Sequence, residues 1–263
     1  MPPPIDPREP SPFSQPSLTP IQLLYFRDNL NRYGAVPSGV PTWQFDTDGT
    51  LNTSLLAYYK LEDNTDALGV KNLTEAGSPT YVSGKVNNGL QQGSNNSTIY
   101  LSRLENYGVI GGAISFSFWF NPNTFPVGDG VMVNLQDATN NVDYLISIDT
   151  SGGRIRWTRG RIGVANQQVT YTYTFVAGTS YNFIGTYDGA TLKLFVDGTQ
   201  QGGDIGAGGT DGSGGVNRFA IGATISGTAF ASGVIDELGV WSKALSTQEI
   251  ADLYQGGLGQ TIV

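Results

Sequence analysis

Four of the nine arginines, Arg154, Arg156, Arg159 and Arg161, fall within eight residues around Trp157. Guanidinium forks match carboxylate and phosphate groups, so a cluster of this kind could hold an acidic glycan or an acidic protein surface. On a strand Arg154 and Arg156 share one face and Trp157 takes the other, and the plain alternative is a solvated strand face with Trp157 in the core. Carboxylates are the second chemical resource. They gather at Glu62-Asp63-Asn64-Thr65-Asp66 and at Asp236-Glu237. Glycosidic cleavage needs two carboxyls about 5–10 Å apart, and adjacent residues of a regular strand point to opposite faces. With no Cys and no His, thiolate and imidazole metal sites, cysteine nucleophiles and Ser-His-Asp triads are excluded. A metal, if held, is a hard cation on oxygen ligands, with calcium the first choice.

The elements that position these groups are short strands. Of 263 residues, 39% are hydrophobic, only 14% are charged and 36 are Gly, a composition of turn-rich β structure. Leu55–Leu61 opens the sheet, and Ala113–Phe120 alternates large and small residues as a half-buried strand does. Asp143–Asp149 and Arg154–Thr158 flank a Thr150-Ser151-Gly152-Gly153 turn. Tyr181–Tyr187 and Thr191–Val196 flank Asp188-Gly189, with Asp197-Gly198 closing the second hairpin. Near the end, Gly233–Trp241 reads as a strand and Leu245–Gly256 as one short helix. There Ser246 and Glu249 form a capping box, Leu245 and Ile250 a staple, and Gly256 the left-handed C′ residue.

Outside this region lies a different kind of chain. Eight of the thirteen prolines, among them Pro2, Pro3, Pro4, Pro7, Pro10 and Pro12, occupy residues 1–20, an extended arm without a core of its own. A helix follows over 21–34, with Leu24 and Phe26 on an apolar surface that requires cover. Residues 35–42 link it to a main domain over 43–258, and 259–263 form a tail. The Phe45–Thr50 segment reads as an Asx-type turn rather than a calcium loop. Residues 202–215 read as a long Gly-rich connection without the Lys-Ser/Thr ending of a phosphate loop. Tyr171, Tyr173 and Phe175 read as a half-buried strand.

Four segments in order resemble one family. Leu55–Gly69 is similar to its opening "l-x-a-Y-Y-x-l" stretch, and Ser83–Leu90 to its "G-k-x-G-x-a-l" motif. The hairpin GTYDGATLKLFVDG and the closing IDELGVW with ALSTQEIADLY complete the set. Together they resemble the laminin-G-like, concanavalin A-like lectin/glucanase jelly rolls. The resemblance implies an all-β fold, a two-sheet antiparallel jelly-roll sandwich with a short C-terminal helix, preceded here by the proline-rich arm and its helix. It also implies a binding module rather than an enzyme, since neither acidic cluster reproduces the Glu-x-Asp-x-x-Glu strand of the related glycoside hydrolases. In many members a structural Ca²⁺ is held by an acid of the last strand and the loop after the first strand, which carries over to Asp236 and Asp66. The bland alternative is that Asp236 caps backbone N–H groups and Asp66 solvates a turn.

The net charge of −8 argues against a nucleic-acid partner, and no run of about 18 apolar residues exists to insert in a membrane. Met1, the lack of a signal peptide, the proline arm and the low-charge composition together point to a phage virion. The expectation is a lectin-like decoration module, docked on other subunits of an assembly through residues 1–34 and displaying a jelly roll to surface glycans. The alternatives are an extracellular carbohydrate-binding module of a cellular organism and a divergent glycanase.

Overall fold

The computed structural model describes residues 50–92, 100–104, 107, 112–123, 129–136, 142–149, 153–160, 165–207, 218–224, 226–259 and 261–262, apart from the side chains of 129, 142, 143 and 149. Pro2, Pro3, Pro4, Pro7, Pro10, Pro12, Leu24, Phe26 and the arm and helix that contain them lie outside these residues, as do Arg161 and most of the Phe45–Thr50 turn. Gln44–Val263 forms one compact unit.

Fifteen strands build two antiparallel sheets among the described residues. Sheet A runs β13(Thr199–Gly206)-β12(Thr191–Val196)-β11(Tyr181–Tyr187)-β6(Ile114–Pro122)-β15(Gly233–Trp241)-β4(Asn88–Gln92)-β3(Thr80–Ser83), with β1(Leu55–Tyr59) also paired to β15. Sheet B runs β10(Gln167–Thr172)-β9(Arg154–Arg159)-β8(Val142–Asp149)-β7(Asp129–Gln136)-β14(Arg218–Ile221)-β5(Tyr100–Leu104)-β2(Thr74–Ala76). Both expected hairpins form, β8–β9 and β11–β12. The Gly-rich connection begins later than its composition suggests, because Gly202–Gly206 belong to strand β13, where Ile205 and Gly206 pair with Leu192 and Thr191 beyond a register shift.

Alternate residues face the space between the sheets. Phe116, Phe118, Leu135, Tyr144, Ile146, Ile155, Trp157, Phe183, Phe219 and Val240 form one buried cluster there. Each large apolar side chain so buried contributes about 1.5–3 kcal/mol. Tyr171, Tyr173 and Phe175 join its edge, with Tyr173 and Phe175 ring centroids 4.8 Å apart; the expected strand holds only Tyr171, since β10 ends at Thr172. Helix α1 (Thr247–Tyr254) lies on the outer side of sheet A. Leu245, Ile250 and Leu253 pack there with Ile184, Phe195, Trp241 and Leu51 in a second apolar cluster.

The capping box is present in both directions: Glu249 N–H donates to Ser246 Oγ at 3.2 Å, and Ser246 N–H to Glu249 Oε2 at 2.8 Å. The helix ends at its C-cap Gln255, itself left-handed (φ 48°), and Gly256 follows as the expected left-handed C′ residue (φ 59°). Within the tail, Thr261 and Ile262 are tied to the unit. Thr261 Oγ1 donates to Glu237 at 3.0 Å and Ile262 N–H to Tyr58 Oη at 3.2 Å.

Two tryptophans lie over glycines, and both glycines belong to the motifs that carry the resemblance. A Cβ on Gly185 would sit 2.7 Å from Trp157, and one on Gly239 would sit 2.2 Å from Trp241. The first indole crosses the sandwich from sheet B and donates to Thr186 O at 3.0 Å. The second closes the outer side of sheet A and donates to Leu51 O at 2.7 Å.

Candidate functional site

Strand β9 divides the arginine cluster. Ile155, Trp157 and Arg159 point inward, while Arg154, Arg156 and Thr158 point outward. Trp157 is 0% exposed and is a core side chain rather than a stacking platform for a ligand. Arg159 is also 0% exposed. Its guanidinium stacks 4.6 Å over the Tyr187 ring and donates to Ala207 O, which offsets part of the cost of burying the charge. Arg159 is therefore an internal anchor for the chain leaving β13, because its parity matches Trp157 and not Arg156. Arg154 and Arg156 remain half-buried on the outer face of sheet B.

That face holds groups the sequence alone does not mark. The strand registers place Ala220, Asn134, Leu145 and Thr158 side by side across four strands, and Ser147 beside Arg156 and Thr170 in the adjoining row. Arg218 pairs with Gln136 toward the other end. Asn134 is 0% exposed, with neither its amide nitrogen nor its carbonyl oxygen hydrogen-bonded, and the buried Ser147 hydroxyl is unpartnered as well. Buried polar groups without a partner each cost about 1–3 kcal/mol. The half-buried Ser102, Leu145, Arg156 and Thr170 and the exposed Gln168 border them. Among the described side chains of the outer face, none is a carboxylate. A bulge explains why the pattern is hidden: the β7–β8 register shifts between Val131 and Val133, so Met132 enters the core and the parity of VMVNLQ changes along the strand.

The buried carboxylates do a different job. Asp66 is 2% exposed. Its Oδ1 accepts from Tyr58 N–H (3.0 Å) and Leu68 N–H (3.1 Å), and its Oδ2 from Val70 N–H (3.3 Å) and Lys71 N–H (2.9 Å). Asp236 Oδ2 accepts from Lys85 N–H (2.7 Å) and Val86 N–H (2.8 Å), and its Oδ1 from Glu237 N–H (2.9 Å). Every oxygen thus faces donor hydrogens, and no cluster of three acids occurs among the described residues. A Ca²⁺ ligand must instead aim its lone pairs at the cation. As placed, Asp66 and Asp236 do not fit a calcium site; they cap the 66–71 and 84–86 loops.

Asp236 and Glu237 do not alternate. Between Trp119–Asp236 and Ser117–Gly239, β15 carries one residue more than β6, and Glu237 takes up the bulge at φ 51°. Both carboxyls end up buried. Burial pushes Asp236 up to about 7 against its three N–H donors, and pushes Glu237 up to about 8 against the single Thr261 hydroxyl. Glu237 Oε2 has no partner.

A family model described as the concanavalin A-like lectin/glucanases superfamily (Laminin_G_3) matches residues 93–251, more than half of the chain. The chain belongs to that superfamily. No curated protein matches the sequence. Among solved structures, domain 4 of AbnA, a GH43 extracellular arabinanase from Geobacillus stearothermophilus, in complex with arabinotriose, is 18% identical, with a TM-score of 0.60 over 79% of this chain and 98% of that one. The binding domain of botulinum neurotoxin DC in complex with SialylT is 14% identical (TM-score 0.60; 81% of this chain, 52% of that one). The same binding domain in complex with rat synaptotagmin II is 13% identical (TM-score 0.60; 77% and 51%). The chain thus spans about half the length of the neurotoxin binding domains it matches. At these identities the likeness establishes a shared jelly-roll fold. No helix among the described residues is long and apolar enough to cross a membrane.

Proposed function

We propose that the protein is a non-catalytic glycan-binding module whose ligand lies on the outer face of sheet B. The observation that carries this reading is Asn134, a fully buried amide with both polar atoms unpartnered, set beside the unpartnered Ser147 hydroxyl. An amide that donates and accepts, next to a hydroxyl, suits the paired hydroxyls of a sugar ring. Arg154 and Arg156 at the border add donors for acidic substituents. Superfamily membership and the similar folds solved with arabinotriose and SialylT support a binding role. Neither acidic cluster of the sequence reproduces the Glu-x-Asp-x-x-Glu strand of the related glycoside hydrolases, which favours a binding role over a glycanase.

The proline-rich and apolar sequence of residues 1–34 supports a docking role on other protein subunits of a larger assembly. We favour a phage particle as the setting over a free extracellular module. The test of ligand binding is a glycan array probed with the full chain. Asn134→Leu and Ser147→Ala should each lower binding by about threefold to tenfold, the worth of a net hydrogen bond. Arg156→Ala should lower binding of acidic glycans alone. An array without a hit, or variants that bind like the parent, would sink the proposal. Truncation of residues 1–34 should free the jelly roll from its assembly while leaving array binding intact.

A further inference from the structure

Aromatic rings form a belt along one rim of the sandwich. Tyr171 lies near the end of β10 and Tyr173 and Phe175 follow it, with ring centroids 6.1 Å apart for Tyr171 and Tyr173 and 4.8 Å for Tyr173 and Phe175. Tyr181 stands edge-on to Tyr173 at 5.7 Å. Past Asp197, Tyr254 of α1 stacks on Trp119 at 6.1 Å, and Lys85 Nζ lies 4.5 Å over the same indole. Asp197 marks the junction of the two groups. Burial raises the pKa of the Tyr173 and Tyr254 phenols, and the Asp197 charge adds to the shift at both.

We infer that this belt receives the proline-rich arm, residues 1–20, of a second copy of the chain. The inference rests on the docking role proposed above for residues 1–34 and names the partner subunit. Three observations carry it. First, the belt has the chemistry of a proline-recognition surface. Tyr171, Tyr173 and Tyr254 are only half-buried, and among the described residues neither the Tyr171 nor the Tyr173 hydroxyl is hydrogen-bonded. Rows of such rings form the aromatic-lined grooves that proline-rich segments enter, with prolines packed between rings. The phenol hydroxyls donate to peptide carbonyls, which a segment poor in N–H groups leaves free.

Second, the chain supplies a segment of this kind with reach. Eight of its thirteen prolines fall within residues 1–20, a composition that favours the polyproline conformation. Residues 21–49 separate the arm from the first described residue, Thr50. Even at the rise of a helix they would span roughly 40 Å, more than the width of a small domain. Third, the charges match. The side-chain charges of the arm are those of Asp6, Arg8 and Glu9. The belt offers one carboxylate, Asp197, and one ammonium, Lys85, and neither takes part in a salt bridge among the described residues. Arg8 can therefore meet Asp197, and Asp6 or Glu9 can meet Lys85.

Sedimentation velocity of the full chain over a concentration series tests the inference, paired with amide NMR of the labelled full chain titrated with a synthetic peptide of residues 1–20. The expected results are concentration-dependent self-association, its reversal by excess peptide, and saturable peptide shifts at Tyr171, Tyr173, Lys85 and Asp197. Tyr171→Ser should weaken the association by about threefold to tenfold, the worth of one aromatic contact. The double change Pro7→Gly and Pro10→Gly lies outside the jelly roll, leaves its folding untouched and should weaken association at least as much. A chain that stays monomeric at every concentration would overturn the proposal, as would unchanged association in both variants or peptide shifts confined to other residues. Loss of assembly on truncating residues 1–34, with the belt unshifted by the peptide, would overturn this inference alone and leave the docking role standing.

Discussion

The two outer faces of the sandwich meet water in opposite ways. On sheet A, Trp241, Ile184 and Phe195 are sealed by helix α1 into a second apolar cluster, and the chain end is tied down by Thr261 and Ile262. On sheet B, the corresponding central positions are Asn134, Ser147 and Thr158, buried polar side chains, two of which lack partners. Sheet A is filled by apolar packing, although Asn121 Oδ1, Asn182 Oδ1 and Glu237 Oε2 on its strands also lack partners. The contrast teaches that the second apolar cluster is concentrated under the helix, whereas the unpartnered pair Asn134 and Ser147, on which the proposed glycan site rests, lies on the opposite sheet.

Removing the seal should have the largest effect. Trp241→Ala empties a fully buried indole site and breaks its bond to Leu51 O, and should lower unfolding free energy by about 3–5 kcal/mol in urea titrations. Gly239→Ala should act in the same direction, because its Cβ would lie 2.2 Å from that ring. If either change is silent, the helix is not sealing the sheet. Next in size is Glu249→Ala. Burial alone would raise the Glu249 pKa, but Lys243, Thr50 and the Ser246 N–H bind its carboxylate and hold it below the usual range. Truncation opens the capping box and strands Lys243, at a cost of about 2–3 kcal/mol by thermal melting.

A smaller effect follows pH. Glu237 titrates near 4.5 when unfolded and about 8 when folded. Between these values the folded protein holds a proton that the unfolded chain has released, so stability falls as pH rises. The contribution is fully present below about 4.5 and is gone above about 8, and Asp236 acts in the same sense up to about 7. Glu237→Gln should flatten this decline in denaturant midpoints measured across the range; an unchanged slope would assign it elsewhere. The smallest change in stability belongs to sheet B. Asn134→Leu removes two unsatisfied atoms and should be neutral or stabilising by about 1 kcal/mol. A large loss there would mean that the amide has a structural role, and the contrast between the faces would weaken.

The sheet A half was readable because its constraints are local. Ser246-x-x-Glu249 is a cap in any context. The glycines of GTYDG and IDELGVW are demanded by Trp157 and Trp241, and Asp188 closes its own hairpin turn. Asp66 and Asp236 could be picked out as costly carboxylates, but whether N–H groups or a cation compensates them depends on loops 66–71 and 84–86 folding back. Sheet B was opaque for reasons of parity. The bulge in β7 hides which residues of VMVNLQ face outward, whereas strand parity alone divides Arg154 and Arg156 from Arg159, and only the Tyr187 ring and Ala207 O that hold Arg159 required the fold. Residues three strands apart in space, such as Ala220 and Thr158, carry no shared signature in the chain.

Strand β15 has a partner on one flank that changes midway. Gly233–Ile235 pair with β4 and Leu238–Trp241 with β1, and the Glu237 bulge separates the two. The first strand of the jelly roll therefore lies against the last, Leu55 opposite Trp241. Entry and exit of the unit are neighbours, so it behaves as a cassette. A host chain could carry it in a single surface loop without spreading its own ends.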